Sequence, residues 1–326
     1  MFIRYNEPAV RLTGRWYKNE NFAVSTATGS KIEFSFYGDM AVMHFDMTFS
    51  EHPYPHVWIQ VDGGAKVEAT IERFMRIRAD NNGIHTVTVI YKSAVEMQHR
   101  WYEPLVGKIA FKGFEAESPG TLEPVDKKYI EFIGDSITEG VYVDEEYRLN
   151  SDNDMMNRPF QDDVTATYAY ITAQSLNLEP LFMGYGGVGL TRIGCGGVPR
   201  VGEAYEYCFN AHSTDMPSPD YIVINHGAND QWWDDKTEYL SRYSELLDIV
   251  YSKHPSASVF VLGPFCGWCY EELKNFVENY NLKTGRSVVY INTHGWIPSQ
   301  PLHPSRDGHK IVAEKLIEFL RKNYIK

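Results

Sequence analysis

Apolar and polar positions alternate along the first third of the chain, then give way to a different rhythm. Ile32, Phe34 and Phe36 alternate with neighbours on the opposite face as far as Gly38-Asp39, where the spacing predicts a break. Ala41, Met43, Phe45, Met47 and Phe49 then resume the alternation. Val57, Ile59 and Val61 run into the turn signal Asp62-Gly63-Gly64, and His85, Val87, Val89 and Tyr91 predict a further strand. A side chain on one face at every second residue marks a half-buried strand. Several such strands separated by turns predict an all-β sandwich, a jelly roll, over residues 1–118. Glu117-Ser118-Pro119-Gly120-Thr121 reads as the linker that closes it.

Beyond the linker, short apolar runs alternate with helical spacing. Tyr129–Gly134, Pro180–Met183, Tyr221–Asn225, Ser258–Leu262 and Ser287–Asn292 predict strands. Thr165–Leu176, Lys236–Val250 and a last segment over about Ser305–Arg321 predict helices; the last carries Ile311, Val312, Leu316, Ile317 and Leu320 on one face. Strands alternating with helices imply a parallel sheet covered on both sides, so residues 119–326 are expected to form a three-layer α/β/α, flavodoxin-like domain. Ligands of such sheets bind beyond the carboxyl ends of the strands. A polar, acidic stretch over about Tyr142–Asp163 interrupts the pattern as an inserted loop.

Composition narrows the function classes. The formal charge of −12, with no Lys/Arg cluster, speaks against a nucleic-acid binder and for a neutral, sugar-like ligand. No run of about eighteen apolar residues offers a membrane span. The start MFIRYNEPAV lacks an apolar core with a cleavage site, so a cytoplasmic location is expected. Cys266-Gly-Trp-Cys269 has redox or zinc spacing, but Cys195 and Cys208 make no second close pair for a tetrahedral site. No metal and no cofactor are expected.

Four short segments carry candidate chemistry. Gly134-Asp135-Ser136-Ile137-Thr138 follows the first strand of the α/β half, so Ser136 is either a nucleophile at the strand's carboxyl end or a helix cap. Gly227-Ala228-Asn229-Asp230 follows the third strand, as a donor into the same crevice or as a turn. Gly186-Gly187-Val188-Gly189 follows the second strand, where glycines permit close backbone approach or form a plain loop. Leu302-His303-Pro304 opens the last helix and offers a general base, with Asp307 and His309 reading as capping and packing residues and His309 as the alternative base. Each signal is modest singly. Together they bring a nucleophile, oxyanion donors and a base to one sheet edge, which is what acyl transfer needs.

In this order, Gly-Asp-Ser-Ile, Gly-x-Asn-Asp and His-Pro resemble the SGNH (GDSL-type) hydrolases. Gly14-Arg15, Val61-Asp62-Gly63, Gly83-Ile84-His85-Thr86-Val87 and Phe111–Phe114 resemble the N-terminal jelly roll of carbohydrate esterase family 2. The resemblance implies Ser136 as nucleophile, His303 as base, and Ser136, Gly187 and Asn229 as the oxyanion hole. It implies an esterase acting on acetylated oligo- or polysaccharides such as xylan or manno-oligosaccharides. Other acyl esters, of lipid or peptidoglycan, and a non-catalytic carbohydrate-binding protein are the alternatives. Asp135, Tyr185, Trp232, Trp233 and Trp268 are expected to contact substrate, the aromatic rings as stacking platforms for sugar. One position departs from the pattern: Gln300 stands where the superfamily usually has an aspartate that orients the base. The narrower family tolerates a Ser–His dyad. The expected substitute is the Gln300 amide oxygen or a carbonyl between Gly295 and Gln300, accepting from His303 Nδ1.

Overall fold

The computed structural model describes residues 1–144 and 155–325. The tip of the acidic insertion, residues 145–154, therefore lies outside the described residues. The first 119 residues form an antiparallel sandwich built around two long strands, Lys31–Phe45 and Phe74–Ser93, paired from Lys31↔Ile90 to His44↔Phe74. Strand Val10–Thr13 adds to the first half of Lys31–Phe45, and Ile109–Glu115 to its second half. Ile32, Phe34, Phe36, Met43, Val87, Val89, Phe111 and Phe114 fill the space between the layers. Phe34 stacks on Phe114 with ring centroids 4.3 Å apart.

Two expectations for this half change. Gly38-Asp39 does not end a strand: Gly38, at φ +130°, forms a bulge, and the chain continues in the same strand with a shifted register. The segment Glu117–Thr121 is not free chain, because Ser118 and Pro119 pair with Tyr37 and Phe36 and the Gly120 N–H donates to the Ser35 carbonyl.

The second half carries a five-stranded parallel sheet in the order Glu179–Gly184, Tyr129–Gly134, Tyr221–Asn225, Ser258–Leu262, Val289–Ile291. This is the 2-1-3-4-5 order of doubly wound folds, whose switch point lies beside the first strand. Alternate side chains serve opposite faces. Phe132, Val223 and Phe260 pack under helices Tyr168–Ser175 and Arg306–Asn323. Ile133, Ile224 and Val261 pack with helices Lys236–Lys253 and Tyr270–Thr284. The sequence reading did not include the helix Tyr270–Thr284. The aligned pairs Gly134↔Gly184 and Gly134↔Asn225 end the first three strands of that order level, so the segments that follow them emerge at one edge.

The sandwich is sewn onto this sheet. Val24, Ala27 and Trp101 belong to the same apolar cluster as Ile133 and Ile224. Arg15 and Glu131 form a fully buried ion pair at 2.9 Å, the carboxylate coming from strand Tyr129–Gly134 to meet the sandwich. Arg15 also donates to the carbonyls of Tyr205 and Tyr207, and the Tyr205 hydroxyl donates to the second oxygen of Glu131. Such pairing is what makes a carboxylate tolerable inside a sheet. Among the described residues no helix is long and apolar enough to cross a membrane.

Candidate active site

The first parallel strand ends at Gly134 and the chain turns at once into a single helical turn, Ser136–Glu139. Asp135 caps that turn, its side chain accepting from the Ile137 N–H at 2.9 Å. This leaves Ser136 at the first helical position with its hydroxyl over the strand end. His303, just before the last helix, faces it: Nε2 lies 2.9 Å from Ser136 Oγ. Ser305, two residues on, caps that helix through the Gly308 N–H.

The neighbouring strand ends supply donors. After the second strand, Gly186 gives its N–H to Glu139 Oε2 at 2.6 Å and Gly189 gives its own to the Arg192 carbonyl. Among the described residues, the N–H groups of Gly187 and Ser136 donate to no backbone carbonyl. Gly187 has φ +73°, and a side chain there would also meet Cys195 Sγ at 3.0 Å; the position suits glycine. After the third strand, Asn229 Nδ2 donates to the Val188 carbonyl at 3.0 Å. An amide nitrogen carries two hydrogens, so this bond sets the plane of the group and leaves a second donor. Asp230, buried, accepts from the Thr191 N–H at 2.8 Å and from the Thr191 hydroxyl at 2.7 Å, tying the second loop to the third.

His309 is buried away from the site. Its Nδ1 accepts the Tyr168 N–H at 3.1 Å, and burial depresses its pKa to about 3, with His303 and Arg306 adding repulsion. Burial pushes the Asp135 carboxyl up to about 7, against the Ile137 N–H bond and with the charge of Asp230 helping.

The ends of the acidic insertion lace the nucleophile turn to the helix of the base. Asp163 N–H donates to the Gly140 carbonyl at 2.9 Å, Tyr142 N–H to Asp162 Oδ1 at 2.8 Å, and Asp144 N–H to the Gln161 carbonyl at 3.0 Å. The Arg306 N–H donates to the Val143 carbonyl, and its guanidinium pairs with Asp144. The Tyr142 ring meets the His303 ring edge-on at 5.5 Å, and Arg158 stacks on Tyr142 at 4.1 Å while pairing with Glu96 and Asp162.

Two of the expected substrate contacts, Tyr185 and Asp135, are buried. Tyr185 is 1% exposed, its hydroxyl 3.1 Å from that of Thr26 in the sandwich, so it has no face for a sugar. The Asp135 side chain is fully buried as a cap beneath the nucleophile and reaches no ligand surface. Trp268 is half-buried against Tyr239, with its ring N–H on Asp234. Trp232 and Trp233 are 66% and 68% exposed, and Arg192 lies over the Trp233 ring. Gln300 is exposed. The four cysteines are all free thiols, and burial raises the pKa of Cys266 and Cys269. Sequence reasoning missed Arg100, Glu139 and Thr191; only Glu139 carried a signal, one turn after the serine.

Residues 132–311 match the model of the GDSL-like Lipase/Acylhydrolase family, more than half of the chain. The chain belongs to that family. The matched stretch runs through Ser136, Gly187, Asn229 and His303. Over 95% of its length this GDSL-like acylhydrolase is 27% identical to the cellulase/esterase CelE of Acetivibrio thermocellus, and it spans only 39% of that protein. In fold it resembles a family two carbohydrate esterase from Cellvibrio japonicus (TM-score 0.81, 18% identity, 99% of this chain and 97% of that one). An acetyl xylan esterase from Butyrivibrio proteoclasticus superposes with a TM-score of 0.77 at 19% identity, over 99% and 98% of the two chains. The shared architecture includes the β-rich front half.

Proposed function

We propose that this acylhydrolase is a serine esterase that removes acetyl groups from saccharide hydroxyls, as on acetylated xylan or manno-oligosaccharides. The observation that carries the reading is the 2.9 Å contact between Ser136 Oγ and His303 Nε2 at the sheet's switch-point edge. The structural likeness to carbohydrate esterases supports the substrate class.

In the proposed reaction His303 Nε2 takes the hydroxyl proton as Oγ attacks the acetyl carbonyl. The developing oxyanion is held by the N–H groups of Ser136 and Gly187 and by the second hydrogen of the Asn229 amide. His303 then returns the proton to the departing sugar oxygen. Water enters and repeats the sequence on the acetyl-serine, releasing acetate. Ser136 and His303 work as a dyad in this scheme.

Acetate release from acetylated xylan and from 4-nitrophenyl acetate tests the reading. Ser136→Ala is expected to abolish both. Full activity in that variant overturns the assignment, and turnover of the aryl ester without release from any acetylated glycan overturns the substrate class.

A further inference from the structure

A buried ion pair joins the front half of the chain to the nucleophile turn. Arg100 lies in the segment after the long sandwich strand, and Glu139 is the last residue of the turn that Ser136 begins. Both side chains are buried, at 0% and 2% exposed. The guanidinium grips the carboxylate with both arms: Nη1 donates to Oε1, and Nη2 to Oε2 at 3.3 Å. The same Oε2 accepts the Gly186 N–H at 2.6 Å, and Gly186 precedes the proposed oxyanion donor Gly187. The Arg100 N–H donates to the Gly196 carbonyl, and the Cys195 N–H to the Gly186 carbonyl. Arg100 thus holds the glycine loop at two points, once through Glu139 and once through Gly196.

No substrate atom needs this pair, and a buried charge pair is by itself a poor source of stability. What it does supply is fixed geometry. A planar guanidinium in a two-armed grip admits one orientation of the carboxylate. That carboxylate in turn fixes Gly186, and the same short turn carries the Ser136 N–H. Oxyanion donors act by standing in place before the charge develops, so small displacements are felt in turnover.

We propose that Arg100 and Glu139 are positioning residues that set the spacing between the Ser136 and Gly187 N–H groups, making the sandwich a working part of the oxyanion hole. This rests on the esterase reading above and extends it to the role of the front half.

The test measures kcat and KM on 4-nitrophenyl acetate, per serine counted by titration to completion with a fluorophosphonate, with Ser136→Ala alongside. Glu139→Gln keeps an oxygen for the Gly186 N–H but loses the two-armed grip. The expected result is a fall in kcat of roughly 10- to 100-fold, less than loss of a donor outright, with KM within about threefold. Arg100→Lys, which keeps the charge, is expected to lose about threefold or more and stands in if Glu139→Gln does not fold. The double variant Arg100→Met/Glu139→Gln removes both charges; its thermal stability is expected to recover relative to Glu139→Gln while kcat stays low. Full kcat per titrated serine in Glu139→Gln or Arg100→Lys, or kcat recovering in step with stability in the double variant, overturns the proposal. Residual full activity in Ser136→Ala would instead overturn the esterase assignment beneath it.

Discussion

The side-chain amide of Asn229 donates to the backbone carbonyl of Val188, 3.0 Å away, across the gap between the loops that follow the third and second strands. One hydrogen of the amide holds the loops together, and the other is left for a ligand. Asn229→Ala is therefore expected to cut kcat by about 10²–10³-fold with little change in KM. Asn229→Asp is expected to be worse than Ala, since a carboxylate would face the developing negative charge. Steady-state kinetics on an aryl acetate distinguish these outcomes; equal losses in the two variants would argue against an oxyanion role.

Trp232 and Trp233 follow Asn229 closely in sequence and stand exposed, and exposed aromatic rings offer stacking faces. Replacing both by Ala is expected to raise KM for acetylated xylan several-fold and to leave kinetics on 4-nitrophenyl acetate within about twofold, because the small ester lacks a sugar to stack. Equal effects on both substrates would place the rings in the fold rather than in recognition.

Two buried groups give stability a pH dependence with opposite signs. His309 has a folded pKa of about 3 against an ordinary 6.5, so the folded state binds fewer protons than the unfolded one between those values. Its contribution is complete above about pH 6.5 and is lost as the pH falls towards 3. Asp135 is raised to about 7 from 3.8, so its contribution is present at low pH and is lost as the pH rises from about 3.8 to 7. His309→Gln, whose amide oxygen can still accept the Tyr168 N–H, removes the first effect. Urea midpoints taken from pH 7 to pH 4 are expected to fall less steeply for the variant than for the parent protein. Parallel curves would mean that His309 does not titrate differently on folding.

Arg15 and Glu131 join the halves of the chain without exposure to water. Glu131→Gln leaves a buried guanidinium short of its counter-charge, and a loss of about 3–5 kcal/mol is expected from denaturant unfolding. Because the same apolar cluster contains residues of both halves, unfolding is expected as one transition by fluorescence and circular dichroism alike. Two separated transitions would show that the sandwich and the parallel sheet fold independently.

The elements that sequence patterning reads well are those whose burial is one-sided or complete. Strands such as Tyr221–Asn225 and the last helix were legible because their apolar positions follow a single period. Helix Tyr270–Thr284 was not: it buries only Leu273, Val277 and Tyr280, and it begins at Cys269 in a left-handed conformation without a capping side chain. The strand from Phe74 extends far beyond the readable His85–Tyr91 because residues such as Asn81 and Asn82 face outward. At the candidate site, Ser136, Gly187, Asn229 and His303 stood out in the sequence because each follows a strand end or precedes a helix. Tyr185 misled because adjacency to a strand end does not say which way a ring points; it turns inward to Thr26. Arg100 was invisible, as its partner Glu139 lies 39 residues away and only folding brings them together.

The acidic insertion leaves and re-enters the fold through a clamp: Gly140, Tyr142 and Asp144 on the outgoing side bond to Asp163, Asp162 and Gln161 on the returning side, and Arg306 fastens the clamp to the helix of the base. The neck of the excursion thus joins the nucleophile turn to the helix of the base. Because one clamp touches both elements, a substitution within it is felt at the serine turn and at the last helix together.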